Sequence, residues 1–287
     1  MSVADKLRGY LADGESRLTV SAYDALSAKV AEAAGVEVLH LTGFGASAAM
    51  GGTPDIGLLS LTEMVEACRR ICDATEAPVL ADADTGHGNP LNVRRTIREF
   101  EAAGAAGVHL EDQVAPKRCG HMAGKSVIPA VDMVAKVKAA VDARRDDAFL
   151  IMARTDANAV EGLDSALERA ALYVEAGADM IFVEAPRSEA EIERIAREVT
   201  VPQLFNWTFG ALTPHFDRAR LSELGFELVL FSDVASVVHF ALAAFHGRLV
   251  AAESLDEIAD SITGFDEFNA FIGLPEWRAL EQRYADA

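Results

Sequence analysis

Glu101-Ala-Ala-Gly104-Ala-Ala-Gly107-Val-His-Leu-Glu111 reads as a helix stopped at a glycine, a short apolar strand, and an acid at the strand's far end. Glu32-Ala-Ala-Gly35-Val-Glu-Val-Leu-His-Leu-Thr42 and Glu175-Ala-Gly177-Ala-Asp-Met-Ile-Phe-Val-Glu184 repeat the theme. Working outward, the pattern predicts eight strands: Leu18–Ser21, Val36–Leu41, Val79–Ala81, Gly107–Leu110, Phe149–Ala153, Met180–Val183, Gln203–Phe205 and Leu228–Phe231. Strands apolar on both faces and separated by helices belong to a parallel sheet covered by helices. This many of them favours an α/β fold of the closed (β/α)8, TIM-type barrel over an open doubly wound sheet. The open sheet would want a glycine-rich phosphate loop after its first strand, and Ala22-Tyr23-Asp24-Ala25 is not one.

In a barrel the residues that follow the strands converge on one face. Here they are Asp24, Thr42, Asp82 with Asp84, Glu111, Arg154, Glu184, Asn206 and Ser232. One polar residue at a strand end is a turn former, whereas a ring of them reads as a site. No linker divides the chain, so residues 1–287 are expected to form a single barrel domain with extra C-terminal helices. The tail over about 255–287, with Phe265, Phe268, Phe271 and Trp277, is too apolar to float free and should pack on the barrel or on another subunit. Gly43–Gly57 is glycine-rich with little periodicity and reads as a long loop near the site.

A chain of 287 residues buries about 75% of its unfolded surface, enough for a core without staples. Lys and Arg number 26 against 45 Asp and Glu, a net charge of −19, which argues against a nucleic-acid partner because phosphate binding needs a basic face. The longest uninterrupted apolar runs, such as Phe149–Ala153 and Val237–Phe245, fall short of the ~18 residues of a membrane helix, so no membrane partner is expected. Met1–Tyr10 mixes Asp5, Lys6 and Arg8 with apolar residues and lacks a signal-peptide core, which makes the cytoplasm the expected location. Cys68, Cys72 and Cys119 are too sparse for a disulfide framework. The first two stand four apart in a helical pattern from Thr62 and read as core thiols.

Reactive groups concentrate in two places. Glu111-Asp-Gln-Val-Ala-Pro-Lys-Arg-Cys-Gly-His121 sets acids, two cations, a thiol and an imidazole directly after an apolar run. Lys117, Arg118 and His121 are expected to favour the Cys119 thiolate, since nearby positive charge stabilises the anion. Upstream, Asp82 and Asp84 follow another strand. With Glu111 they offer oxygen ligands only, which suits Mg2+ or Mn2+ and not zinc, and a 2-hydroxy or 2-oxo acid would complete the shell. The bland alternative has both aspartates capping the helix near Asn92 or pairing with Arg94 and Arg95. Arg154, at a strand end, needs a carboxylate because a buried unpaired guanidinium is costly. That carboxylate is either the substrate's, held in a fork, or Glu184. His121 is expected to orient a substrate oxygen, favoured by its neighbours over a satisfied loop histidine; His40 and His109 are expected to pack in the walls, and His87, between glycines, either reaches the site or does not. The metal with Arg154, Lys117, Arg118 and Lys125 should make a locally positive mouth for an anion.

These residues resemble the isocitrate lyase and phosphoenolpyruvate mutase superfamily, from about Arg17 to Phe240. Lys117-Arg118-Cys119-Gly120-His121 matches the signature of its carbon–carbon lyases, as in the methylisocitrate lyases. Asp82-Ala83-Asp84 and Glu111-Asp112-Gln113 match its metal site. The resemblance implies that Asp82 and Asp84 hold Mg2+, with Glu111 reaching it directly or through water, and that Asp55 sits over the metal. It makes Cys119 the general acid or base, with His121, Arg154 and Glu184 in the catalytic set. Thr42, Gly43 and Phe44 would line a carboxylate pocket, and Gly120, Arg154, Asn206 and Thr208 would hold the substrate. The implied reaction cleaves a 2-hydroxy acid to a 2-oxo acid and a carboxylic acid, in a homotetramer that exchanges C-terminal helices. Gly43–Gly57 and Val114–Val127 are expected to close over the ligand as lids.

Three departures bear on the substrate. Thr42-Gly43-Phe44 stands where the methylisocitrate lyases have Ser-Gly-Gly, and the added ring should shrink the pocket. Val237 falls where those enzymes offer an arginine to a distal carboxylate, and Ser232 where they have proline. Serine there is similar to family members that hydrolyse oxaloacetate. Together these favour a dicarboxylic acid, a 2-alkylmalate or oxaloacetate, over the tricarboxylate methylisocitrate. The competing expectations are an oxaloacetate hydrolase or decarboxylase, a phosphonomutase, and a barrel without catalysis.

Overall fold

The computed structural model describes residues 2–285 and divides into two compact units, 1–235 and 236–287. The first is a (β/α)8 barrel. Its strands are β1 (Arg17–Ala22), β2 (Val38–Leu41), β3 (Val79–Asp82), β4 (Gly107–Glu111), β5 (Leu150–Thr155), β6 (Met180–Val183), β7 (Leu204–Asn206) and β8 (Leu228–Phe231). All are parallel, in the order β6-β5-β4-β3-β2-β1-β8-β7, and a single bridge from Ile181 to Gln203 joins the two edge strands. The eight expected strands are all present, within about two residues at either end.

Period-two alternation explains the interior. Along β5, Leu150 and Met152 point into the barrel while Ile151 and Ala153 meet the outer helices. The same alternation runs along Met180 and Phe182, Leu204, and Leu228 with Leu230. Continuing each inward series by two residues gives Arg154, Glu184, Asn206 and Ser232. At the other end, Leu7 of the helix Val3–Ala12 is fully buried in the inner cluster, with Tyr10 and Leu11 packed beside it. That helix plugs the barrel floor.

The loops differ from expectation in one place. Gly43–Gly57 is not all irregular: Gly43–Ala46 is a helical turn, continued by a wider turn over Ser47–Gly51. The Thr42 hydroxyl accepts the Gly45 amide at 3.2 Å and so starts it. The helix Pro90–Ala102 is capped by Asn89, not by either aspartate. Cys68 and Cys72 lie on the helix Leu61–Ala74 with their sulfurs 3.9 Å apart.

Between the apolar floor and the polar mouth sits a buried chain of rings. Ser21 Oγ meets His40 Nδ1 at 3.2 Å, His40 Nε2 meets His109 Nε2 at 2.9 Å, and His109 Nε2 lies 3.7 Å from Asp82 Oδ1. Burial, and then His109, push His40 down to about 3. Both histidines are buried as expected, but they stack inside the barrel and not in its wall.

The second unit begins at Ser236, before the tail boundary read from sequence. It takes up most of the helix Val234–Ala251, followed by helices Phe265–Phe271 and Leu274–Ala285. Arg248 holds its turn together, donating to the Glu257 carbonyl, Asp260 and Ser261. Phe240, Phe265 and Trp277 are exposed. By length and composition Val234–Ala251 could cross a membrane, which corrects the expectation that no segment could. The uninterrupted apolar run is short, but His239, His246, Gly247 and Arg248 do not break the helix.

Leu7→Ala should lower the unfolding free energy by about 2–5 kcal/mol, as deletion of a buried leucine does; an unchanged urea midpoint would remove the plug. The folded chain refuses a proton at His40 that the unfolded chain accepts between about 3 and the ordinary 6.5. Its contribution is therefore complete above that window and is lost as pH falls through it. His40→Gln should flatten the pH dependence of the denaturation midpoint there, and parallel curves for the two proteins would acquit His40.

Candidate active site

Asp82 ends β3 and is held from both sides. Its Oδ2 accepts the Gly43 amide at 3.1 Å and its Oδ1 the Asp84 amide at 2.9 Å. A Cβ on Gly43 would lie 2.7 Å from Asp82 Oδ2, so only glycine brings its backbone this close. Asp84 takes a left-handed φ of 48°, uncommon without glycine and a form of strain that clusters at functional sites. Lys117 Nζ reaches Asp55 Oδ1 at 2.6 Å and Asp84 Oδ1 at 2.8 Å. Burial opposes ionisation of Asp82, yet the His109 ring and Lys117 hold it well below the usual carboxylate range. Burial wins at Asp84: against Lys117, and with Asp82 and Asp55 nearby, it rises to about 6.

The second half of the mouth is organised by Arg154. Its guanidinium forks onto Asp156, Nε to Oδ2 at 2.9 Å and Nη2 to Oδ1 at 3.1 Å. It also meets Glu184 Oε2 at 3.2 Å and Glu111 Oε2 at 3.3 Å. Of the two partners considered for Arg154, Glu184 is present, but the fork goes to Asp156, which the sequence reading missed. The signal was there, since Asp156 continues the inward series of Leu150, Met152 and Arg154. Glu184 Oε1 faces His121 Nε2 at 3.2 Å and accepts Asn206 Nδ2 at 3.4 Å. Burial works against its charge, but Arg154 and His121 keep Glu184 well ionised. Burial raises Glu111 despite Arg154, and its Oε1 is buried without a hydrogen-bond partner.

The loop with Cys119 joins the halves. The Cys119 amide donates to the Asp55 carbonyl at 3.0 Å, and the Gln113 side chain brackets Arg118 through its backbone N–H and C=O. A Cβ on Gly120 would fall 2.6 Å from Arg154 Nη2 and from Glu184 Cγ, so the loop lies pressed onto the mouth. Burial pushes the Cys119 thiol up; the His121 amide pulls it back, and Asp55 and Glu184 raise it further. This overturns the expected thiolate. Lys117 is turned away to Asp55 and Asp84, and the Arg118 side chain is exposed.

The expected positive mouth counted a bound metal among its charges; the protein's own groups are weighted the other way. Asp55, Asp82, Asp84, Glu111, Asp156 and Glu184 are buried there against the cations Lys117, Lys125 and Arg154. Carboxylates outnumber cations, and the raised Asp84 and Glu111 are the response. Among the described residues, no three His, Cys, Asp or Glu side chains are gathered tightly enough to hold a metal ion directly. An all-oxygen, electron-rich set with an orphaned Glu111 oxygen still fits a hydrated divalent cation, since Mg2+ usually keeps several waters. Thr42 spends its hydroxyl on Gly45, and Phe44 is half-buried. Thr208 Oγ1 donates to Asp233, and among the described residues no hydrogen bond ties it or Ser232 to the cluster.

A parallel barrel with acids at the C-terminal ends of its strands and a cysteine loop folded over them is the build of a barrel enzyme's active face. The chain belongs to the phosphoenolpyruvate mutase family of the isocitrate lyase superfamily: residues 8–250 match the model described as phosphoenolpyruvate phosphomutase. It is 43% identical to 2,3-dimethylmalate lyase of Eubacterium barkeri, over 99% of both chains. With 2-methylisocitrate lyase of Escherichia coli it shares 45%, over 82% of this chain and 76% of the other. Among solved structures, oxaloacetate acetylhydrolase with 3,3-difluorooxalacetate superposes with a TM-score of 0.90 at 31% identity, covering 99% and 97%. Phosphonopyruvate hydrolase with oxalate and Mg2+ gives 0.90 at 27%, covering 99% and 100%. The expected superfamily and the expected lyase class agree with these relatives.

Proposed function

We propose that the chain is a carbon–carbon lyase that cleaves a dicarboxylic 2-hydroxy acid of the 2-alkylmalate type into a 2-oxo acid and a carboxylic acid. The observation that carries this is the Cys119 thiol, kept protonated by burial and pressed by Asp55 and Gly120 onto the acid-lined mouth. The full-length likeness to a dimethylmalate lyase supports the choice of substrate class.

The 2-hydroxyl gives its proton to one of the ionised carboxylates that line the mouth. As the C2–C3 bond breaks, C2 becomes the carbonyl of the oxo acid and the electron pair stays on C3, beside the departing carboxylate. Cys119 delivers its proton to C3, a step for which a placed acid is typically worth about 10²- to 10⁴-fold. Arg154, Asn206 and His121 hold substrate oxygens, and the pressed loop excludes water. Asp82 and Asp84, with Glu111 at second hand, would hold Mg2+ or Mn2+, which supplies positive charge to the developing oxyanion. Thr42, Gly43 and Phe44 would bound the carboxylate pocket, with Thr208 and Ser232 at its rim.

A second reading, hydrolysis of oxaloacetate, is favoured by Ser232 at the end of β8 and by the likeness to the acetylhydrolase structure. We further propose a cytoplasmic homotetramer with exchanged C-terminal helices, supported by Phe240, Phe265 and Trp277, whose exposed rings want a protein partner.

Turnover of 2-alkylmalates should exceed that of methylisocitrate and oxaloacetate and should stop with chelator; oxaloacetate as the sole substrate would select the second reading. Cys119→Ser should lower kcat by about 10²- to 10⁴-fold while pyruvate or oxalate binding, followed by calorimetry, stays nearly intact. Full turnover by that variant would take Cys119 out of the mechanism.

A further inference from the structure

Lys125 lies in the same loop as Cys119, and its side chain is only 2% exposed. Its Nζ sits 2.7 Å from Asp156 Oδ1, and the same ammonium donates to the Gly120 carbonyl. Asp156 is part of the barrel, not of the loop. It follows β5, takes the Arg154 fork, and its amide donates to Asp112 Oδ1 at 2.9 Å. Asp112 is itself fixed by Thr155 Oγ1 and by the Tyr173 hydroxyl, both at 2.8 Å. One end of the Lys125 bridge is thus anchored in the hydrogen-bonded body of the barrel. The other holds the peptide carbonyl next to the thiol.

A buried ammonium is tolerated only while it is paired. Lifting Gly120 from Arg154 and Glu184 would strip Lys125 of the carbonyl, and carrying Lys125 along would leave Asp156 to Arg154 alone. Closed, both costs vanish. Across the segment the Cys119 amide is held by the Asp55 carbonyl, so the thiol hangs between two anchors on opposite sides of the mouth. Lys117 makes a parallel contact, but to Asp55 and Asp84 in the metal half, so its removal would disturb the ion site as well. Among the described residues Lys125 makes no hydrogen bond or ion pair with Asp82, Asp84 or Glu111, and it acts on the loop.

We propose that Lys125 is a positioning residue that locks the Cys119–Gly120 segment onto the barrel by bridging the Gly120 carbonyl to Asp156. It thereby sets where the thiol proton is presented. That last consequence rests on Cys119 being the proton donor; the lock itself does not.

The test compares Lys125→Met and Lys125→Gln with the wild type, using the full chain. The first readout needs no substrate: the rate at which iodoacetamide alkylates Cys119, resolved by mass spectrometry from Cys68 and Cys72. Lys125→Met should raise the Cys119 rate by about tenfold to a hundredfold, the scale of a lost hydrogen bond to a charged group, and leave the other two unchanged. Lys125→Gln keeps a donor for Gly120 and should raise it less. The second readout is kinetic: kcat should fall by a similar factor with KM changed little. A folded Lys125→Met with wild-type alkylation would overturn the lock. So would alkylation of all three cysteines together with a fallen melting temperature in both variants, which assigns Lys125 to the fold. Faster Cys119 alkylation in a protein whose wild type cleaves no 2-hydroxy acid would keep the lock and sink the lyase reading.

Discussion

Too many carboxylates buried in one place shape this molecule. Asp55, Asp82, Asp84, Glu111, Asp156 and Glu184 share the barrel mouth with Lys117, Lys125 and Arg154. Charges so far from water must be paired, protonated or met by a bound cation. All three responses are visible or implied. Arg154 contacts three of the acids and keeps Glu184 ionised, whereas Asp84 and Glu111 are pushed toward their neutral forms. A divalent cation would relieve the remaining excess, which ties ion binding to the protonation of the same groups.

The imbalance also governs the thiol. Two lysines that could have stabilised a thiolate are drawn off by carboxylates: Lys117 to Asp55 and Asp84, Lys125 to Asp156. Cys119 is left in a partly buried position with Asp55 and Glu184 nearby, where the neutral form is favoured. A protonated thiol suits a group that must hand a proton to carbon, whereas a thiolate would suit a nucleophile. The chemistry of the loop follows from where its neighbours' charges go, more than from their number.

Backbone choices carry this arrangement. Gly43 and Gly120 admit main chain within reach of Asp82 and of Arg154 with Glu184, where a Cβ would collide. Thr42 starts the turn that presents the Gly43 amide, and Asp84 accepts a left-handed φ to bring its own amide to Asp82. Each is a local cost with a gain at the site.

By itself the sequence determined the alternation of helix and strand, because glycine stops and apolar runs are local signals, and with it the barrel and its ring of polar strand ends. It also carried the acid motifs and the Lys117–His121 signature. Asp156 was legible in principle, two residues beyond Arg154 on an inward face. Tertiary structure alone decided the partners. Whether Lys117 serves Cys119 or Asp84, whether Arg154 forks onto Glu184 or Asp156, and how many carboxylates crowd the mouth depend on distances between residues far apart in the chain. Sequence proximity gives neither those distances nor the burial that makes each charge matter.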